Sequence, residues 1–179
     1  VYLQLFILLE KEKNLLMKLE RVVSVNADIT DVANWFLLKE DMSHKKIQKL
    51  CYYAEAWSET LLDAPICRNN EFQAWVHGPV NLKLWNLYKD YGWSLIHLQC
   101  TKPEEDSLFS KFSDSQLEIL NSVWHSYGAY SADTLEAQTH SETPWQEQRG
   151  NLPMFASCSN VISVETMKQY YGAIADEQS

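Results

Sequence analysis

The chain has 179 residues with 15 basic and 24 acidic side chains, which give a net charge of −9 and a pI near 5.0. Apolar residues make up 46% of the chain and aromatic residues 12%, enough for the core of one domain. The acidic charge argues against an extended, non-specific grip on nucleic acid, because such binding needs a basic face. Since no apolar run reaches the ~18–20 residues of a membrane span, we also expect no membrane-spanning segment.

The N-terminal region has a different character from the rest of the chain. Residues 1–9 are apolar and residues 10–13 are charged, but the basic start and cleavage site of a secretory signal are missing. An amphipathic docking helix is one interpretation. The other is that a functional chain starts at Met17, so that residues 1–16 are a translated leader. Either way, we expect residues 1–27 to be an extension of the domain.

Two helices are predicted after this extension. Asp28 is a typical N-cap, and apolar residues follow at helical spacing over residues 28–39. Ser43 caps a longer amphipathic helix over residues 44–62, which Ala64-Pro65 ends.

A small β element is predicted next. Short apolar patterns in residues 66–76 indicate two strands, and Gly78-Pro79 indicates a rigid turn that breaks the chain. Residues 93–98 suggest a further extended segment.

Capping residues predict most of the remaining chain to be helical. The exception to this helical pattern is residues 101–112. They contain Pro103 and an acidic run, which suggest a mobile surface loop. The last helix is expected over residues 164–171, with a tail at 173–179. The predicted N-caps of these helices are Asn81, Ser113, Ser131, Thr143 and Ser163. The fold class is therefore mainly α: one compact helical domain with a small β hairpin-like insertion.

The four cysteines are far apart in sequence and include no C-x-x-C pair. Zinc sites usually show such pairs, so we expect no metal site. Reduced, packed thiols are typical of a cytoplasmic protein. These residues are Cys51, Cys67, Cys100 and Cys158.

Three stretches of the chain resemble a known family. They are SHKKIQKLCYYAEAWSETLL at residues 43–62, FQAWVHGPVNLKLWNLYKDYG at residues 72–92 and VWHSYGAYSADTLEAQTHSETPWQEQR at residues 123–149. In this order and spacing they resemble the Panacea domain, also called the SocA-like antitoxin or phage-associated protein family. The resemblance covers residues 28–172.

The resemblance implies a cytoplasmic antitoxin of a bacterial or prophage toxin–antitoxin system. Its partner would be a cognate toxin, neutralised by protein–protein contact, and one route in the family is delivery of the toxin to a protease. An alternative is therefore a protease adaptor or a phage-encoded interaction module. The resemblance brings no catalytic residue and no cofactor. Some relatives carry an additional DNA-binding segment, but residues 1–27 are too short for a helix-turn-helix unit, so we expect no direct nucleic-acid binding.

The first candidate partner-binding residues flank the predicted turn. Gly78-Pro79 makes the turn rigid, which would hold the residues around it in fixed positions. Side chains of the kind that commonly anchor interfaces lie nearby, at Trp75, His77 and Trp85. The alternative is purely structural, with Trp75 filling the core and Gly-Pro setting the turn.

The second candidates precede and begin a predicted helix. They are His140, Glu142 and Trp145, which lie on either side of Thr143-Pro144. The alternative is structural, because these residue types are common where a helix starts. In that case we expect Glu142 to make a dipole or cap contact. A second alternative function is a small hydrolase or deaminase that uses His77, His140 and Glu142. The H-x-E spacing occurs in zinc deaminases, but the P-C-x-x-C element that completes their site is missing, so we do not expect an enzyme.

The third candidates are acidic. Residues 101–179 carry four basic and twelve acidic side chains, a net charge of −8. This excess favours a basic toxin, which it would steer to the chain, although solvated helix faces explain it too. We expect Glu104, Glu105 and Asp106 to join the turn in one docking surface.

Overall fold

The computed structural model describes residues 26–177, and this part of the chain is mainly α-helical with a small β insertion, as predicted. The predicted leader over residues 1–16 lies outside the described residues. The eight α-helices in the described range are α1 (Ile29–Leu37), α2 (His44–Leu62), α3 (Leu82–Tyr88), α4 (Lys102–Phe109), α5 (Asp114–Tyr127), α6 (Ala132–His140), α7 (Thr143–Arg149) and α8 (Val164–Asp176). The strands are β1 (Met42–Ser43), β2 (Gln73–Trp75), β3 (Gly78–Val80) and β4 (Leu95–Ile96).

Helix α2 is the centre of the fold. It packs against α1, α5, α6 and α8, and strand β3 also lies on it. The sequence predicts an amphipathic helix, but neighbours on so many sides bury polar positions as well. Lys49 and Glu55 are each 1% exposed, so their polar atoms depend on partners inside the protein.

Most of the predicted caps are confirmed. Asp28 and Ser113 each form a reciprocal capping box, and the side chains of Ser43, Ser131 and Ser163 each accept a backbone N–H three residues later. These bonds satisfy helix-start donors that would otherwise lack partners.

Two helix boundaries differ from the prediction. The N-cap of α7 is Glu142, not Thr143, and its side chain makes no capping bond because it points into the core. Helix α8 continues to Asp176, since Tyr171 and Ala175 still bury an apolar face.

The strand prediction is partly wrong. Strand β2 pairs with β3 in an antiparallel hairpin, with Trp75 opposite Gly78 and Gln73 opposite Val80. Gly78-Pro79 therefore lies in a strand, and the turn is Val76-His77. The physical reason is that a two-residue turn suffices to close a hairpin.

Two further segments complete the β structure. Residues 66–67 do not form the hairpin's other strand; instead the next residue, Arg68, makes an isolated bridge with Asp28. The extended segment predicted at residues 93–98 contains β4, which pairs with β1.

The surface loop predicted over residues 101–112 is also wrong, because it contains helix α4. Thr101 and Glu104 form a capping box and Pro103 lies in the first turn, which are standard helix-start features. Leu108 and Phe112 are buried, and α4 packs against α1. Within the described residues, no helix is both long and apolar enough to cross a membrane.

Candidate functional site

The hairpin β2–β3 lies on α2 and α6, and Gly78 is the point of closest approach. Its φ is +89°, and a Cβ there would lie 2.6 Å from Lys49 Cε and 2.8 Å from Thr139 Oγ1. Both features require glycine, because an L side chain rarely adopts this φ and has no space here. Gly78 and Pro79 are buried, so they position the surface and do not themselves form it.

Lys49 holds the hairpin from beneath. Its Nζ donates a 3.1 Å hydrogen bond to the carbonyl oxygen of Pro79. Burial lowers the pKa of Lys49 to about 7, although the carboxylate of Glu136 acts in the opposite direction. A buried amine thus connects α2 directly to the second strand of the hairpin.

An ionic network surrounds the exposed turn residue His77. Its Nδ1 lies 3.0 Å from Glu136 Oε1, and Glu136 also pairs with Lys45, which in turn pairs with Asp133 at 2.7 Å. Partial burial opposes ionisation of Glu136, but its hydrogen bonds to Lys45 and His77 outweigh this and lower its pKa. The network fixes His77 at the tip of the hairpin.

Aromatic rings form the rest of this surface. Trp145 Nε1 donates a 2.9 Å hydrogen bond to the carbonyl oxygen of Trp75, and the ring of Trp75 lies 5.6 Å from that of Trp85. His140 stacks on Trp145 with ring centroids 4.1 Å apart. Burial lowers the pKa of His140, so the neutral ring is favoured. We call these residues, Trp75, His77, Trp85, His140 and Trp145, the hairpin surface.

Glu142 does not belong to the hairpin surface. It is 2% exposed, and its carboxyl oxygens accept hydrogen bonds from Tyr53 at 3.0 Å and from Tyr171 at 2.7 Å. Burial raises the pKa of Glu142 to about 7, while these hydrogen bonds limit the rise. Glu142 is therefore an interior polar group. Its side chain makes no cap bond at the start of α7 and instead accepts bonds from two tyrosines.

The acidic candidates lie on a different element. Helix α4, which carries Glu104, Glu105 and Asp106, packs against α1, whereas the hairpin packs against α2, α6 and α7. Glu104 accepts bonds from the N–H and hydroxyl of Thr101, and the other two acidic side chains pair with Lys102. The structure does not place these three carboxylates next to the hairpin surface.

The three residues of the hydrolase alternative have different surroundings. His77 faces Glu136, His140 stacks on Trp145, and Glu142 points towards two tyrosines. Among residues 26–177, no group of three or more His, Cys, Asp or Glu side chains is arranged to hold a metal ion.

Sequence reasoning missed Lys45, Lys49, Glu136 and Arg149. All four lie on helices and resemble ordinary charged helix positions. Their roles depend on contacts between elements far apart in the chain, and helical periodicity carries no signal for those.

The chain matches the family described as Antitoxin SocA-like, Panacea domain, over residues 47–146. This match covers more than half of the chain and includes most of α2, the hairpin and the start of α7. The protein therefore belongs to the SocA-like Panacea family. Neither the curated proteins nor the solved structures contain a significant match.

Proposed function

We propose that this chain is the antitoxin of a bacterial or prophage toxin–antitoxin system, and that it binds and neutralises a toxin protein in the cytoplasm. Membership of the SocA-like family supports an antitoxin with a protein partner. The hairpin surface is the proposed binding site.

The observation that carries this proposal is the fixed presentation of aromatic side chains around His77. The side chain of His77 is 72% exposed, and Trp75, Trp85 and Trp145 are half-buried around the hairpin. The indoles of Trp75 and Trp145 donate hydrogen bonds within the protein, so these two rings lose little conformational freedom when a partner binds. Such rings are typical anchors of protein interfaces.

The charge of the chain favours a basic toxin. With a net charge of −9, the chain attracts a cationic partner from a distance, which raises the association rate more than the affinity. The half-buried indoles then supply the short-range contacts that slow dissociation.

A co-expression experiment tests the proposal. The open reading frame beside this gene is expressed from an inducible promoter, alone or with this chain. Growth should stop in the first case and continue in the second, and the two proteins should co-purify. An adjacent product that is harmless, or that stays toxic in the presence of folded chain, contradicts the proposal.

The amount of toxin in the same cells separates two modes of action. Neutralisation by binding leaves the toxin level unchanged, whereas delivery to a protease lowers it. A protease adaptor would therefore show rescue together with loss of toxin, and rescue should then disappear in a host that lacks the protease.

A further inference from the structure

A turn next to the hairpin presents two large apolar side chains to solvent. Met154 is 75% exposed and Phe155 is 80% exposed. They are the two central residues of a tight turn, closed by a 2.9 Å hydrogen bond from the N–H of Ala156 to the carbonyl oxygen of Pro153. Central turn positions usually carry Gly, Asn, Asp or Ser. Folding alone gives no reason for two adjacent exposed apolar residues here.

The buried guanidinium of Arg149 holds this turn in place. Arg149 is 5% exposed, and it donates hydrogen bonds of 2.9–3.1 Å to the carbonyl oxygens of Pro153, Met154 and Ala156. Because three bonds from one guanidinium hold the backbone of the turn, the entropy cost of ordering the turn is met during folding and not on binding.

The same arginine connects the turn with the hairpin surface. Arg149 also donates a 3.2 Å bond to the carbonyl oxygen of Ala74 in β2, and its guanidinium lies 5.2 Å from the ring of Trp145. Further along the loop, Ala74 N–H bonds to Asn160 and Ile162 N–H bonds to Phe72. The loop that carries the turn is thus attached to the hairpin on both sides of the turn, through Arg149 before it and through Asn160 and Ile162 after it.

Charge indicates the chemistry of the partner. The loop of residues 150–163 carries no Asp, Glu, Lys, Arg or His, and the Arg149 that precedes it is buried. On the flanking helices Glu147 and Glu165 are exposed, while Lys168 pairs with Glu59 and Asp63. An apolar tip on a chain of net charge −9 fits an apolar pocket with a basic rim. It is repelled by an anionic membrane and by a second copy of this acidic chain.

We propose that Met154 and Phe155 form an anchor that inserts into an apolar, basic-rimmed pocket of the toxin. We call this pair the 154–155 anchor. This inference rests on the proposed function and adds a second contact region, which sequence patterns did not indicate. Arg149 acts as a positioning residue, because it arranges the anchor without forming it.

The test is the affinity of purified variants for the purified product of the adjacent gene. Met154→Ala with Phe155→Ala should raise Kd about 30-fold, mainly through faster dissociation. Trp93→Ala is the matched control: Trp93 is 88% exposed in a turn beside β4, and its loss should leave Kd unchanged. Arg149→Met should weaken binding even with the anchor intact, in preparations shown by circular dichroism to be folded.

The outcomes separate the two proposals. If the wild-type chain binds and protects cells, and the folded anchor variant binds equally well, the 154–155 anchor is wrong and the antitoxin proposal stands. If the wild-type chain neither binds nor protects, both are wrong. Equal weakening by Trp93→Ala overturns the anchor, because any exposed apolar side chain would then suffice.

Two other binding partners of the 154–155 anchor, a membrane and a second copy of the chain, can be recognised directly. Sedimentation with phosphatidylcholine–phosphatidylglycerol vesicles that depends on Met154 and Phe155 would identify a membrane contact and overturn the inference. Self-association that disappears in the anchor variant would overturn it in favour of a dimer.

Discussion

Tyr171 donates a 2.7 Å hydrogen bond to Glu142 inside the protein, and this bond joins the last helix to the start of α7. The opposite carboxyl oxygen accepts a bond from Tyr53 on α2. One buried carboxyl group therefore connects three helices, and α7 carries Trp145 to the hairpin surface. A perturbation at Glu142 should affect folding stability first and partner binding only indirectly.

Glu142 makes the stability of the protein depend on pH. Because burial raises its folded-state pKa to about 7, while an unfolded glutamate has its usual value near 4.5, the folded state binds the proton more tightly between these values. The stabilisation is fully present below about pH 4.5 and is lost as pH rises through 7. Glu142→Gln should remove this part of the pH dependence, on the order of 2–3 kcal/mol.

Urea unfolding at pH 5 and pH 8 measures this effect. Burial also raises the pKa of Glu55, so Glu55 adds a pH dependence of stability with the same sign. Glu55→Gln is the matched control, and the effects of the two substitutions on the pH dependence should add. If Glu142→Gln keeps the full wild-type difference between the two pH values, Glu142 is ionised in the folded protein.

Gly78→Ala should destabilise the protein by about 3 kcal/mol. The new Cβ would meet Lys49 and Thr139, and the residue would keep a φ of +89°. Gly92→Ala is a control for backbone strain alone, because its φ is +55° and nothing lies within 4 Å; its cost should be about 1 kcal/mol. Thermal unfolding of both variants gives the comparison, and equal costs would show that the contact with Lys49 does not matter.

Local signals in the sequence were sufficient for most of the helices. A helix start was predictable at Ser113, from its pairing with Gln116, and at Ser131. The reason is that a cap is a contact between residues three apart in the chain. The T-x-x-E signal at Thr101 is equally local, but the acidic run after it also favours a surface loop.

The hairpin surface was only partly predictable from the sequence, for a physical reason. Trp75, His77 and Trp145 were singled out by residue type, but the packing of Gly78 on Lys49 is a contact between residues far apart in the chain. The bonds from Arg149 to the carbonyl oxygens of Ala74, Pro153, Met154 and Ala156 also had no local signal, because they depend on how the loop after α7 folds back.

Charge reversal on α4 should slow toxin association without changing dissociation. Glu105→Lys with Asp106→Lys leaves Glu104 in place, because Glu104 caps the helix. Since α4 lies away from the hairpin surface, its charges act only through the long-range field. The association rate should fall roughly threefold at low salt, and its salt dependence should become flatter. Stopped-flow association at two salt concentrations checks this. A changed dissociation rate would place α4 inside the interface.

If the hairpin surface binds the toxin, substitutions in this surface should raise the dissociation constant of the complex. Isothermal titration of the purified adjacent gene product with wild-type chain and with the His77→Ala, Trp85→Ala double variant gives this value, after melting curves show that the variant is folded. Kd should rise about 30-fold in the variant, equivalent to about 2 kcal/mol. An unchanged Kd in the folded variant would contradict binding at this surface.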